Sequence, residues 1–190
     1  MIHFVLGGAR SGKSRFAEQQ VLSLSANSTE LPIYLATATS IDGEMDSRIN
    51  KHQLDRGEHW QLIECPLALS EKLSLLDNEL NNNPKRVYLL DCLTLWLNNQ
   101  LYAVENLNNE AQTQHLQTEI DKLILSLTAF KSDIVIVSNE IGLGVIPMGK
   151  STRLYVDYCG WLNQKVAAIA DQVTLVTAGI PLTIKSISAN

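Results

Sequence analysis

The 190-residue sequence lacks most features that mark secreted or membrane-spanning proteins. Its three cysteines, Cys65, Cys92 and Cys159, are far apart and form no Cys-x-x-Cys pair. Reduced, buried thiols are therefore favoured over disulfides or a zinc site. No apolar run approaches the roughly 20 residues of a membrane span, and the short N-terminal apolar run does not resemble a signal peptide. We expect a cytoplasmic protein.

A surplus of basic residues is also lacking. The formal net charge is −5 and the isoelectric point is near 5.3, whereas proteins that bind nucleic acid usually carry excess positive charge. No Asn-Lys-x-Asp motif is present, which argues against a regulatory GTPase, and no protein-kinase motif set occurs. Without internal repeats, the length suits one domain spanning residues 1–190. Nucleic acid is not an expected partner.

The most informative stretch lies near the N-terminus. The apolar run Ile2–Leu6 predicts a buried strand, and a segment that favours helix begins at about Lys13. Between them, Gly7-Gly8-Ala9-Arg10-Ser11-Gly12-Lys13-Ser14 fits the P-loop pattern Gly-x-x-x-x-Gly-Lys-Ser. Backbone N–H groups of such a loop surround a phosphate, the lysine contacts the β- and γ-phosphates, and the serine hydroxyl binds Mg²⁺. The alternative, a glycine-containing turn without a ligand, is disfavoured by the flanking strand and helix. We predict nucleoside triphosphate binding.

Apolar strands alternate with helical segments along the rest of the chain. The patterns predict strands over 32–37, 60–64, 86–91, 134–138, 173–176 and 182–185, and helices over 13–24, 44–58, 67–80, 93–102, 110–130 and 151–170. Such alternation predicts an α/β fold: a P-loop NTPase (RecA-like), mostly parallel sheet flanked by helices. A C-terminal antiparallel hairpin is expected around Gly179-Ile180-Pro181. Ligands of these folds bind at the carboxyl ends of the strands.

Asp91 ends an otherwise apolar predicted strand. P-loop proteins place a carboxylate near Mg²⁺ at such a position, so Asp91 and Ser14 form a candidate metal-binding pair. The alternative is that Asp91 caps the N-terminus of the following helix.

A histidine lies within a basic stripe of the predicted helix over 44–58. Helical spacing places Arg48, His52 and Arg56 four residues apart on one face. Neighbouring arginines disfavour the charged imidazole, and the neutral form is the nucleophile. The alternative is a solvated basic face with an incidental histidine. His59 is expected to be structural or on the surface, and His3 and His115 show no catalytic surroundings.

The segment Asn139–Gly149 is punctuated by glycines and follows the predicted central strand. Asn139 and Glu140 could orient a substrate there or simply belong to a turn with a helix cap, and both interpretations remain open. For Trp96 and Trp161, packing in the core is favoured over lining a ligand pocket.

These residues together resemble the adenosylcobinamide kinase / adenosylcobinamide-phosphate guanylyltransferase family of cobalamin biosynthesis. The resemblance runs from residue 2 to about residue 185. It rests on an ordered set of motifs: the P-loop, Tyr34-Leu35-Ala36-Thr37, Arg48-Ile49-x-x-His52, Trp60, Glu64, Asp91-Cys92-Leu93-Thr94, Ser138–Pro147, Gly160-x-x-Asn163-Gln164 and Val176-x-x-Gly179-Ile180-Pro181.

The resemblance implies a bifunctional enzyme. It would phosphorylate the aminopropanol hydroxyl of adenosylcobinamide with ATP or GTP, then transfer GMP from GTP to give adenosylcobinamide-GDP and pyrophosphate. The family's covalent histidine corresponds to His52. Lys13 is the second catalytic residue that the resemblance implies. Mg²⁺ is the expected cofactor, and family members form homotrimers. The implied nucleotide contacts are Gly7, Gly8, Ala9, Arg10, Ser11, Gly12, Lys13, Ser14, Thr37, Ala38, Thr39, Gln53, Leu54, Asp55, Arg56, Glu64 and Asp91.

Two other functions compete with this one. A monofunctional P-loop kinase of a small metabolite would use His52 only on a phosphate-binding face. A nucleotide-dependent interaction switch would hydrolyse its nucleotide slowly and independently of a corrinoid.

Overall fold

The computed structural model describes residues 1–38, 59–79, 86–144 and 147–186. The strands within these ranges are β1 (Ile2–Gly7), β2 (Ile33–Ala36), β3 (Gln61–Glu64), β4 (Val87–Asp91), β5 (Asp133–Asn139), β6 (Gln172–Thr177) and β7 (Ile180–Ser186). The helices are α1 (Lys13–Leu24), α2 (Leu69–Glu79), α3 (Leu93–Ala103), α4 (Asn109–Ala129) and α5 (Lys150–Ile169).

The strands form one sheet in the order β3-β2-β4-β5-β1-β6-β7. Every neighbouring pair is parallel except β6 and β7, which are antiparallel. The predicted mostly parallel α/β sheet with a C-terminal hairpin is therefore confirmed. The described helices and strands agree with the predicted ones to within a few residues. The predicted helix over 44–58 lies outside the described residues.

Two hydrophobic layers cover the faces of the sheet. Along β5, Ile134 and Ile136 pack beneath helices α2 to α5, whereas Val135 and Val137 pack on the face that carries α1. This alternation follows from the two-residue period of a strand, and burial on both faces explains why the central strands are almost wholly apolar. Among the described helices, the P-loop helix α1 therefore provides most of the cover on its face of the sheet.

The turn of the C-terminal hairpin differs from the prediction. The prediction placed it around Gly179-Ile180-Pro181, but β7 already begins at Ile180, leaving a two-residue turn of Ala178 and Gly179. Both residues have positive φ angles, 51° and 79°, as the favoured two-residue hairpin turn requires. Pro181 fits inside β7 because an edge strand tolerates a missing N–H donor.

Of the helices that the structure describes, none combines the length and hydrophobicity that crossing a membrane requires.

Candidate active site

The P-loop connects the end of β1 to the start of α1, as predicted. Arg10 and Gly12 adopt positive φ angles of 56° and 94°, which curl the loop before the helix begins at Lys13. The first turn of α1 contains no acidic residue, and Gly12 at its N-cap offers no side-chain acceptor. Because the first turn supplies no carboxylate to it, the positive end of the helix dipole is suited to receive the anionic group of a ligand.

The Lys13 ammonium lies over this loop. Its Nζ donates a hydrogen bond to the backbone oxygen of Gly8 at 3.2 Å. From this position the ammonium can exchange a loop carbonyl for phosphate oxygens.

The turn of the hairpin packs directly against the P-loop. The Gly179 N–H donates to the backbone oxygen of Ser11 at 2.8 Å. A Cβ atom on Gly12 would come within 3.3 Å of the Gly179 Cα, and a Cβ on Gly7 would lie 2.5 Å from the Val176 oxygen and overlap the Ser11 Oγ. The loop is thus packed so closely that Gly7 admits no side chain. Sequence reasoning did not identify this contact, because Ser11 and Gly179 lie far apart in the chain.

Asp91 lies at the carboxyl end of β4, at the same edge of the sheet as the P-loop. Its neighbour in register on β2 is Ala36 and on β5 is Val137. The Tyr34 hydroxyl donates to Asp91 Oδ2 at 3.0 Å. The carboxylate is half-buried. Helix α3 has Cys92 at its N-cap with no side-chain cap, so Asp91 does not occupy the cap position that was its alternative role.

Thr37 holds the chain just after Asp91. Its hydroxyl accepts a hydrogen bond from the Cys92 N–H at 2.8 Å and donates one to the Cys92 oxygen at 2.7 Å. The Thr37 N–H donates to the backbone oxygen of Asp91 at 3.2 Å. Asn99 Nδ2 donates to the backbone oxygen of Thr37 at 2.8 Å. The completely buried Thr37 side chain therefore contacts the residue that follows β4. Its role as a nucleotide contact stays a prediction, as does that of the half-buried Ala38 beside it.

Glu64 ends β3 at the same edge but farther from the P-loop. It is paired in register with Ala36, whose other neighbour is Asp91, so β2 separates the two carboxylates by two strand spacings, about 10 Å. Glu64 is exposed. Its assignment to nucleotide binding remains a prediction.

Asn139 ends β5 and Glu140 follows it, next to the P-loop. Asn139 Nδ2 donates to Thr94 Oγ1 at 2.8 Å, and Glu140 Oε1 accepts from the Gly142 N–H at 2.7 Å. The Glu140 N–H donates to the Gly7 oxygen at 3.1 Å. The Glu140 side chain thus stabilises the turn after β5, and the Asn139 side chain connects β5 to the first turn of α3. A substrate-orienting role for either residue stays a hypothesis.

The three cysteines are free and buried, as predicted. Burial, reinforced by the Asp91 charge, raises the pKa of the Cys92 thiol to about 11, and burial raises that of Cys159 to about 12. Thiols with such pKa values stay protonated at neutral pH and are poor nucleophiles.

The tryptophans differ from each other. Trp96 is buried in the core and its indole N–H donates to the Leu67 oxygen at 2.9 Å, as predicted. Trp161 is half-exposed on α5, so its predicted core position is wrong. It packs edge-to-face against Tyr158 instead.

Several predicted site residues lie outside the described residues. They are the candidate nucleophile His52, the two arginines that flank it in the basic stripe, and further implied nucleotide contacts. The residues are Thr39, Arg48, His52, Gln53, Leu54, Asp55 and Arg56.

The donor chemistry of Ser14 and Asp91 fits Mg²⁺. One hydroxyl and one carboxylate are hard oxygen ligands, and Mg²⁺ in phosphate-binding sites is usually held by one or two such groups, with phosphates and water completing the shell. Among the described residues there is no cluster of three histidines, cysteines or carboxylates that would hold a metal unaided. The nucleotide itself would therefore supply the remaining ligands.

The P-loop lies between the first strand and the first helix, with a lysine over it. The carboxylate of Asp91 lies at the carboxyl end of β4, at the same edge of the sheet. These features define a P-loop nucleotide-binding protein. Residues 3–184 match the family described as cobinamide kinase / cobinamide phosphate guanyltransferase. The chain belongs to this family.

Similar proteins cover nearly its whole length. The bifunctional adenosylcobalamin biosynthesis protein CobP of Pseudomonas aeruginosa is 42% identical over 185 residues, covering 97% of this chain and 98% of the relative. The proteins named CobU from Escherichia coli and Salmonella typhimurium are each 36% identical over 191 residues, covering 97% of this chain and 100% of the relative.

Proposed function

We propose that this chain phosphorylates the aminopropanol hydroxyl of adenosylcobinamide with ATP or GTP and then transfers GMP from GTP to that phosphate. The products are adenosylcobinamide-GDP and pyrophosphate. The observation that carries the proposal is the P-loop between β1 and α1 with the Lys13 ammonium over it, in a chain that belongs to the cobinamide kinase / guanyltransferase family over residues 3–184. Residues 1–190 act as one domain in this proposal.

The P-loop binds the triphosphate common to both steps. Backbone N–H groups at the start of α1 donate to phosphate oxygens, and Lys13 moves from the Gly8 oxygen to the β- and γ-phosphates. Ser14 and Asp91 would hold Mg²⁺, which would neutralise charge on the phosphates. Catalysis of phosphoryl transfer to the hydroxyl is then mainly a matter of position and electrostatics.

His52 is the proposed nucleophile of the second step, on the strength of the family motif. A neutral imidazole nitrogen forms a bond to the α-phosphorus of GTP, and the bond to the bridging oxygen breaks to release pyrophosphate. An oxygen of the corrinoid phosphate then attacks the same phosphorus and releases the histidine. Because the two steps use different phosphorus atoms, the nucleotide or the segment bearing His52 must move between them.

The direct test is labelling with GTP carrying radioactive phosphorus at the α position, in the presence of Mg²⁺ and without corrinoid. We expect label on the denatured protein that survives alkali, is released by acid and is absent from His52→Ala. His59→Ala is the matched control, because His59 is an exposed histidine on the described chain, and it should label normally.

Kinase activity separates the rival function. The bifunctional proposal predicts that His52→Ala still phosphorylates adenosylcobinamide while GMP transfer is lost. A monofunctional kinase that uses His52 only to bind phosphate would instead lose kinase activity along with binding in His52→Ala. Its wild-type protein would show no covalent label, even in a preparation shown to bind GTP.

We also propose that the chain works as a homotrimer, as the family resemblance implies. Exposed apolar side chains support burial in an assembly: Ile180, Leu182 and Ile184 on β7 are each more than half exposed, and Trp161 is half exposed. Sedimentation equilibrium would test this proposal, and a monomer at micromolar concentration would contradict it.

A cytoplasmic location is proposed on the three free, buried thiols, which suit a reducing compartment.

A further inference from the structure

Tyr34 connects β2 to the carboxylate of Asp91. Its hydroxyl donates to Asp91 Oδ2 at 3.0 Å, and its ring packs edge-to-face on Trp60, with centroids 6.0 Å apart and planes at 88°. Only 5% of Tyr34 is exposed. The ring is thus held by packing, and the hydroxyl is delivered to one oxygen of the carboxylate.

Strand register explains how this contact arises. Tyr34 is aligned with Leu89 and Ala36 with Asp91 on the neighbouring strand. Tyr34 and Leu89 belong to the hydrophobic layer on the α1 face of the sheet. Because side chains alternate with a period of two, Asp91 projects to the same face as Leu89. The carboxylate therefore lies on the side of the sheet that carries α1, whose first turn contains Ser14.

The backbone of Asp91 is fixed independently of Tyr34. The Thr37 N–H donates to the backbone oxygen of Asp91. The Thr37 hydroxyl bonds to both the backbone N–H and the backbone oxygen of Cys92. These contacts hold the backbone, whereas the Tyr34 hydroxyl holds the Oδ2 atom of the Asp91 side chain.

We propose that Tyr34 is a positioning residue of the metal site: by holding Asp91 Oδ2 it orients the carboxylate toward Mg²⁺ and the phosphates. This inference rests on the proposed binding of Mg²⁺ by Asp91 and Ser14. Groups that hydrogen-bond to metal ligands orient those ligands, and their removal commonly weakens metal binding or activity 10- to 100-fold.

A purely structural role is the competing explanation. A buried tyrosine hydroxyl needs a hydrogen-bond partner, and Asp91 could serve only to satisfy it. In that case removing the hydroxyl would change the stability of the fold but would not change the affinity of the site for metal.

The experiment measures binding of Mn²⁺, as a probe for Mg²⁺, by the electron paramagnetic resonance of free Mn²⁺ in the presence of a non-hydrolysable GTP analogue. Tyr34→Phe keeps the ring contact with Trp60 and removes only the hydroxyl. We expect Mn²⁺ affinity to fall by about 10-fold or more, while binding of the analogue without metal is unchanged. Kinase activity of Tyr34→Phe should recover at high Mg²⁺ concentration.

Tyr158→Phe is the matched control. It also removes one tyrosine hydroxyl from a buried ring, but that hydroxyl donates to the Thr113 oxygen at 3.2 Å between two helices. Its Mn²⁺ affinity should equal that of the wild-type protein.

A double-mutant comparison tests whether Tyr34 acts through Asp91. In an Asp91→Asn background, Tyr34→Phe should cause no further loss of Mn²⁺ affinity, whereas independent effects would multiply and overturn the proposal. Wild-type affinity in Tyr34→Phe, together with weakened binding in Asp91→Asn, would also overturn it and leave the proposed metal site intact. Unchanged affinity in Asp91→Asn would instead contradict the metal site itself.

Discussion

The two sides of the site are held in place by different kinds of contact. The P-loop is held by backbone groups and by the absence of side chains: Gly179 donates to Ser11, and Gly7 has no space for a Cβ atom. The end of β4 has side-chain contacts in addition to its backbone pairing with β2 and β5: Tyr34 is bonded to the carboxylate of Asp91, and Thr37 to the following peptide.

This difference predicts which substitutions each side tolerates. A backbone-held loop should be sensitive to any added atom, even an apolar methyl group, because carbonyl oxygens and Cα atoms cannot rotate away. An edge held by side chains should tolerate changes that preserve the hydrogen-bonding group and fail when a buried donor or acceptor loses its partner.

The largest expected effect comes from Gly7→Ala. The new methyl group would lie 2.5 Å from the Val176 oxygen and overlap the Ser11 Oγ, so the loop must shift. Overpacking of this kind costs about 3 kcal/mol or more, and GTP binding should weaken about 100-fold. Equilibrium binding of a fluorescent GTP analogue measures this.

Gly160→Ala is the control for the added methyl group. Gly160 lies inside α5, and a Cβ atom there would meet no atom within 4 Å beyond its own helix backbone and adjoining residues. The exchange should therefore stabilise the fold by about 0.5–1 kcal/mol and leave GTP binding unchanged. Wild-type GTP affinity in Gly7→Ala would contradict close packing as the constraint on the loop.

Thr37→Val should destabilise the β4 side. Valine has nearly the same shape, but the buried Cys92 N–H loses its acceptor, while the Cys92 oxygen keeps its bond from the Trp96 N–H. We expect a loss of about 2 kcal/mol in the free energy of unfolding, measured by urea denaturation. Thr37→Ser retains the hydroxyl and should lose less than half as much. A loss in Thr37→Val no larger than that in Thr37→Ser would contradict the hydrogen bond as the main contribution of Thr37.

Exchanges at the hairpin turn should have smaller effects of opposite sign. Gly179 has a φ of 79°, which costs an L-residue about 1 kcal/mol, so Gly179→Ala should lower stability by that amount and weaken GTP binding several-fold through Ser11. Ala178→Gly relieves the same strain at its φ of 51° and should not weaken GTP binding. A loss of GTP affinity in both variants would point to the ligand contacting the turn directly.

The smallest effect is expected at His3, near the amino end of β1. His3 is buried, with Nε2 2.9 Å from Thr174 Oγ1, and burial lowers its pKa from 6.5. Below pH 6.5 the unfolded chain binds a proton that the folded chain does not, so stability falls as pH is lowered. Between pH 7 and pH 6 the loss from this group is at most about 0.7 kcal/mol.

His3→Gln should remove this contribution, and the difference in unfolding free energy between the two proteins should grow smaller from pH 7 to pH 6. A difference that stays constant with pH would show that His3 does not titrate between the folded and unfolded states.

Local patterns in the sequence were sufficient for the elements and for part of the site. The P-loop and α1 could be predicted because strand, loop and helix are consecutive, so their chemistry depends on residues within about 14 positions. Burial of β4 and β5 on both faces leaves continuous apolar runs, which the sequence displays directly. Asp91 was identifiable because it interrupts such a run.

The partners of these residues could not be predicted in the same way. Tyr34 reaches Asp91 across 57 positions of the chain, and Gly179 reaches Ser11 across a far longer interval. The order of the strands and their register create both contacts, and composition near Tyr34 or Gly179 does not encode that order. The same limit explains Trp161, an apolar residue in a helix whose exposure depends on where α5 lies against the sheet.

Local sequence therefore specifies the parts of this protein that depend on neighbouring residues: the phosphate-binding loop, the alternation of strands and helices, and the chemical type of the groups at the strand ends. Tertiary structure specifies what those groups contact, as when the Thr37 hydroxyl bonds to the peptide after Asp91. The physical reason is that backbone conformation follows short-range sterics and hydrogen bonding, whereas the pairing of side chains on different strands follows the register of the whole sheet.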